Sequence, residues 1–178
     1  MWNRMLFGAL ALVLLCDGAL ASEMDLRLRE ARYLKDFQRS GRYFGIPYQL
    51  LMAIARQESD CNPLVINIAG RDYHPKSSQE ALALIREARM RKQGYDLGLM
   101  QINSEWLERL GIDPALLLAP NNNIFMGASI LAGEIKKRGF GWEAIGHYHS
   151  PKSARALAYA RKIKGHLLQL LRGGKLGL

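Results

Sequence analysis

Pro47-Tyr48-Gln49-Leu50-Leu51-Met52-Ala53-Ile54-Ala55-Arg56-Gln57-Glu58-Ser59 is the stretch on which the reading of this chain turns. Proline suits the first turn of a helix, where its missing N–H would have had no partner. At about 100° per residue, Leu50, Leu51 and Ile54 fall on one side of the helix, and Glu58 continues that same face at its C-terminal end. Burial there strips water from the charged carboxylate, and the negative end of the helix dipole disfavours it further. Both effects raise the pKa, as a general acid working near neutral pH requires. Pairing of Glu58 with Arg56 or another base explains the same position equally well, so position alone leaves both readings open.

Working outward, the chain reads as helix after helix. Glu23 to Ser40 is helix-forming and charged, with Gly41 as its stop, and Asn62-Pro63 breaks the helix from Pro47. Leu64 to Pro75 is looser. Ser78 to Lys92 reads as a helix, capped by Ser78 and favoured at its start by Glu80. Gly94 to Asn103 is a turn and an extended segment. Ser104 to Leu110 reads as a short helix closed by Gly111, and Asn123 to Arg138 as a longer one with Ile124, Ala128, Ile130, Leu131 and Ile135 on its buried stripe. Trp142 to Tyr148 and Ser153 to Leu171 complete the set. Strand signals are nearly absent, so the expected fold is mainly α, with little or no sheet. No repeat, low-complexity tract or linker divides it.

The N-terminus reads as a leader. Arg4 precedes the apolar run Leu6 to Leu15, which is short for a membrane span, and Ala19-Leu20-Ala21 supplies the small residues read by a signal peptidase. Residues 1–21 are therefore expected to be a signal peptide cleaved after Ala21. Residues 22–173 form one domain and 174–178 a flexible tail. Bulky Leu15 before Cys16 argues against lipidation. The leader carries one Arg and one Asp, so the net charge of +9 stays with the exported part. Only Cys61 survives cleavage, which excludes an intramolecular disulfide and reads as a small packed thiol. The cations are spread over helical polar faces, not gathered into one tract with interleaved aromatics. An anionic polymer outside the cytoplasm suits them better than nucleic acid.

Three further motifs follow Glu58-Ser59 in order: Gly98-Leu99-Met100-Gln101-Ile102-Asn103, then Gly146-His147-Tyr148-His149-Ser150, then a last helix with Tyr159 and Ile163. This set resembles the soluble lytic transglycosylase (SLT) family, with its goose-type lysozyme-like domain. In size the chain is most similar to the small transglycosylases of conjugation, secretion and pilus systems. The resemblance covers roughly Gly45 to Leu168. It implies Glu58 as catalytic acid/base, with Ser59, Met100, Gln101, Asn103, Tyr148 and Tyr159 lining a sugar cleft. Carboxamides there offer a donor and an acceptor to N-acetyl and hydroxyl groups. The substrate implied is the peptidoglycan glycan strand, the compartment the periplasm, and the protein a monomer that serves an envelope machine.

The sequence departs from the family in three places. Tyr148-His149-Ser150-Pro151 stands where Tyr-Asn-Ala-Gly is usual. Asp36 and Asn121 stand where many small relatives carry a cysteine pair. Ile66 to Tyr95 is longer than the usual link between the first two motifs, and reads equally as a wall of the groove or as surface decoration. Asp60, Asp72, Asp96 and Glu105 are available as a second carboxylate, which a two-carboxylate glycosidase needs, but the family route implied uses one carboxylate and closes a 1,6-anhydro ring. A lysozyme-type hydrolase and a non-catalytic wall-binding assembly subunit are the alternatives. His147 and His149 lack a carboxylate or cysteine at metal-ligand spacing, so no metal is expected. No glycine-rich phosphate loop or serine triad is present, so no cofactor is implied.

Overall fold

A computed structural model describes the backbone of residues 3–173 and the side chains of residues 23–172. The side chains of the expected leader, its cleavage point after Ala21 and the expected tail lie outside the described residues. No helix among the described residues is long and apolar enough to cross a membrane. The chain divides into two compact units, residues 1–32 and 33–178. The first belongs to helix α1 (Asn3–Phe44) and carries the i,i+4 ion pairs Glu23–Arg27 and Asp25–Arg29. Such surface pairs contribute only tenths of a kcal/mol.

The second unit is mainly helical. After α1 come α2 (Tyr48–Ser59), α3 (Ser78–Met90), α4 (Ser104–Leu110), α5 (Pro114–Leu117), α6 (Pro120–Arg138), α7 (Trp142–His149) and α8 (Ser153–Gly173). Helix α2 runs through the core and packs on α8, while α7 is held between α6 and α8. Phe37, Leu51, Ile54, Ile124, Leu131 and Ile163 are buried together with Leu99 and Ile102 of the second motif. This is where the apolar stripes read from the sequence meet.

The small sheet comes from the two segments that carried no helical period. Strands β1 (Ile66–Ile68), β2 (Arg71–Tyr73), β3 (Tyr95–Leu97) and β4 (Ile102–Asn103) form one antiparallel sheet in the order β2-β1-β3-β4. Each strand is two or three residues long, too short for alternation to show in the sequence.

Several boundaries differ from expectation. Helix α1 passes through Gly41 to Phe44, and Gly45, in the left-handed region, ends it. Helix α2 stops before Asn62-Pro63: Asp60 and Cys61 are both left-handed, and their N–H groups turn back to the carbonyls of Arg56 and Ala55. Ser77, not Ser78, caps α3, its hydroxyl accepting from the Glu80 N–H while the Glu80 carboxylate accepts from the Lys76 N–H. Helix α6 begins at Pro120, which leaves Asn123 inside the first turn and buried. Helix α5, capped by Asp113, was not expected from the sequence. Cys61 is fully buried. Asp36 and Asn121, the positions matching the family's cysteine pair, line one cavity with Arg39, Tyr43 and Phe125.

Candidate active site

A groove of about 820 Å³ opens over the C-terminal end of α2. Glu58 lines it with only 12% of its side chain exposed. Its Oε1 accepts a hydrogen bond of 2.5 Å from the phenol of Tyr159 on α8. Burial is the largest influence on this carboxyl and pushes its pKa from 4.5 up to about 7. The Tyr159 hydrogen bond and the nearby Lys162 oppose the shift, and Asp96 adds to it. A buried acid that keeps its proton to neutrality is the condition that the apolar face of α2 anticipated. Arg56, the alternative partner, donates to Gln169 on α8.

The second motif is a tight turn fixed from below. Gly98 has φ +79, and a Cβ there would meet the Asn123 amide nitrogen at 2.3 Å, so both conformation and space require glycine. Asn123, 1% exposed, ties the turn to α6. Its Oδ1 accepts from the Met100 N–H at 2.7 Å, and its Nδ2 donates to the carbonyls of Leu97 and Leu117. The Ser59 hydroxyl reaches the same turn and donates to the Leu99 carbonyl at 2.9 Å. Gln101 holds φ +44 and donates to the carbonyls of Val65 and Gly98.

The expected site residues therefore divide by position. Glu58, Gln101, Asn103 and Tyr148 line the groove. Tyr159 lies just behind, buried and bonded to Glu58. The Met100 side chain is fully buried, and its carbonyl accepts the Tyr148 hydroxyl at 2.7 Å. Ser59 faces the turn. Tyr148 and Tyr159 are both desolvated, which pushes their phenols well above the ordinary value and keeps them neutral donors.

Two groupings of groove residues were not foreseen from the sequence, although most of their members were weighed singly. The first runs across the sheet. Asn67 is in register with Asp72 on one side and Asp96 on the other, and Asp96 with Asn103. Directly paired residues share a sheet face, and all four line the groove. Asn67 donates to Asp72 at 2.6 Å and Asn103 to Asp96 at 2.8 Å. The hairpin of the long 66–95 segment is thus part of the groove wall. The second group is at the end of α7. His149 stacks on Tyr159, with ring centroids 4.7 Å apart and planes 2° from parallel. Its Nδ1 lies 3.9 Å from Glu58 Oε1. His147 accepts a hydrogen bond from Arg138, which together with Glu134 and Lys137 of α6 forms the far wall.

The family model described as "Transglycosylase SLT domain" fits residues 36–165. The chain belongs to the transglycosylase SLT domain family. Relatives of this SLT protein include invasion protein IagB of Salmonella typhi, 39% identical over 128 residues that make up 67% of each chain. The X polypeptide of Escherichia coli is 37% identical over 127 residues, 60% of this chain and 72% of its own. Protein IpgF of Shigella sonnei is 28% identical over 142 residues, 75% of this chain and 80% of its own.

Proposed function

We propose that this SLT protein is a peptidoglycan lytic transglycosylase that uses Glu58 for both proton transfers. The observation that carries the reading is the state of Glu58: buried, protonated up to about pH 7, and held by Tyr159 at the edge of a groove of about 820 Å³. With Oε1 accepting from Tyr159, the proton to be donated sits on Oε2. Glu58 gives it to the glycosidic oxygen between N-acetylmuramic acid and N-acetylglucosamine. The C1–O bond breaks, and the leaving sugar departs with a 4-hydroxyl. The Glu58 carboxylate then takes the proton of the muramoyl 6-hydroxyl as that oxygen bonds to C1, closing the 1,6-anhydro ring. Glu58 returns to its starting form, and no water is consumed. Gln101, Asn103 and Tyr148 line the groove where they can bind sugar.

The test is product analysis on purified peptidoglycan. Native protein should release anhydromuropeptides, and Glu58→Gln should release none while melting as a folded protein. Full activity in that variant refutes the assignment.

A second reading has its own support. Asp96 shares the groove and acts electrostatically on Glu58. It is a candidate base for an attacking water in a two-carboxylate hydrolysis. Mass spectrometry separates the two, because hydrolysis products are heavier by one water.

The setting we propose is the periplasm, with local wall opening on behalf of a conjugation, secretion or pilus machine. The N-terminal leader pattern and a relative named as an invasion protein support it.

A further inference from the structure

The position where the family usually has asparagine is occupied here by His149, and the geometry around it has a use. We propose that His149 is a positioning residue for Glu58: its neutral ring holds Tyr159 in place to donate to the acid, and its protonated ring sets a cation beside the reacting sugar and shuts the site off in mild acid. The inference rests on Glu58 being the working acid.

Two contacts carry it. The parallel stack on Tyr159 fixes the plane of the phenol whose hydroxyl reaches Glu58. The 3.9 Å from Nδ1 to Glu58 Oε1 is too long for a hydrogen bond but within reach of an ion pair. With its side chain 50% exposed, His149 exchanges protons with solvent, whereas Glu58 is covered.

The charged and titratable groups facing His149 come from four elements. They are Glu58 on α2, Asp96 on β3, Arg155, Tyr159 and Lys162 on α8, and Tyr148 beside it on α7. Partial burial is the largest influence on the imidazole and lowers its pKa. Lys162 and Arg155 act the same way, and Asp96 opposes them. The ring is therefore neutral at neutral pH. The sign of the coupling follows. As pH falls, Glu58 holds its proton first and the site becomes competent. A further proton on His149 then places an imidazolium beside Glu58 and beside the sugar. The cation repels the positive charge that develops at C1. Activity should be bell-shaped, with an alkaline limb from Glu58 and an acid limb from His149.

The experiment is the pH dependence of kcat/KM on soluble glycan strands for native protein, His149→Phe and His149→Ala, with melting curves to establish folding. Phenylalanine can stack but cannot titrate. His149→Phe should lose the acid limb, so that about one pH unit below the native half-point its rate relative to its own maximum exceeds the native ratio by about tenfold. His149→Ala, lacking the stack, should fall further than His149→Phe at every pH. An acid limb that persists unchanged in His149→Phe overturns the proposal, as does equal loss in both variants. A second measurement is independent of turnover. NMR titration of the His149 ring should have its midpoint at the acid limb of the native profile, because the ring proton is the one that closes the site. A ring that titrates away from the acid limb overturns the proposal, whereas retained activity in Glu58→Gln would overturn the transglycosylase reading instead.

Discussion

The phenol of Tyr159 donates to Glu58 Oε1 over 2.5 Å, joining the last turn of α2 to the second turn of α8 across 101 residues of chain. That bond does two opposed things to the acid. It orients the carboxyl towards the groove, and it stabilises the ionised form, so that it lowers the pKa which burial raises. Tyr159→Phe separates the two. With the donor gone, the alkaline limb of the pH profile should move up, not down, while kcat falls by roughly 10- to 100-fold through lost orientation. A profile measured on glycan strands reads both effects. An alkaline limb that moves down would show that the hydrogen bond does not act on the acid as described.

Burial of Glu58 also makes the site a source of instability at high pH. The folded-state pKa of about 7 lies above the unfolded 4.5. The folded chain therefore binds this proton more tightly, and the benefit is fully present below 4.5 and lost as pH rises through about 7. Above that, the native protein carries a charged carboxylate in a poorly hydrated place, at a cost of about 3 kcal/mol. Glu58→Gln removes the titration and leaves an acceptor for Tyr159. It should melt higher than native protein at about pH 8, with the difference vanishing near pH 4. Thermal denaturation at the two pH values decides it, and a constant offset would argue against the buried acid.

What the sequence revealed and what it concealed follow from the range of the forces involved. The position of Glu58 was legible because Leu50, Leu51 and Ile54 lie within about two turns of it and fix the face of α2. Helix α4 was legible to the residue, since its Gly111 stop is local. The sheet was hidden because strands of two or three residues carry no period, and their pairing depends on register between segments about thirty residues apart. Asn123 read as the start of a helix, when its side chain is committed to a turn that precedes it by 23 residues. His149 was visible as an unusual neighbour of Tyr148 and as half of a His-x-His pair that lacked further metal ligands. Its stack on Tyr159 is a product of how α7 crosses α8.

That crossing makes a prediction of its own. A Cβ on Gly146 would lie 2.4 Å from the Ala156 carbonyl oxygen, so the two helices touch backbone to backbone there. Gly146→Ala must push α7 away from α8, and with it Tyr148 and His149 away from Tyr159. Overpacking of this kind costs typically ~1–3 kcal/mol. The rate on glycan strands should fall more than the loss of folded protein explains. Equal activity per folded molecule would show that the spacing of α7 and α8 does not matter to the site.

Asn123 supports the turn from the opposite side. Asn123→Ala leaves the buried Met100 N–H and the carbonyls of Leu97 and Leu117 without this side chain. Each buried polar group stranded in this way costs on the order of 1–3 kcal/mol, so the variant should melt well below native protein. Asn123→Asp keeps the acceptor for Met100, has one donor for the two carbonyls when neutral, and has none when ionised. It should fall between native protein and alanine at low pH, where its carboxyl is neutral, and approach or pass the alanine value when ionised. Denaturant titration at two pH values would show the order, and a native-like alanine variant would remove Asn123 from this account.

Substitution of the paired side chains on the sheet should separate binding from chemistry. Asp72 and Asn67 sit on the exposed hairpin, bonded to each other at 2.6 Å, in the same row as Asp96 and Asn103 nearer Glu58. Exposed substitutions away from the core usually change stability by less than about 0.5 kcal/mol. The double variant Asn67→Ala, Asp72→Ala should therefore melt like native protein. If the hairpin holds a sugar unit away from the bond that breaks, its loss removes binding common to ground and transition states, so KM should rise by about 3- to 10-fold with kcat nearly unchanged. Long glycan strands should show the effect, and fragments too short to reach the hairpin should not. A fall in kcat with KM unaltered would instead tie the hairpin to the placement of Asp96 beside the acid.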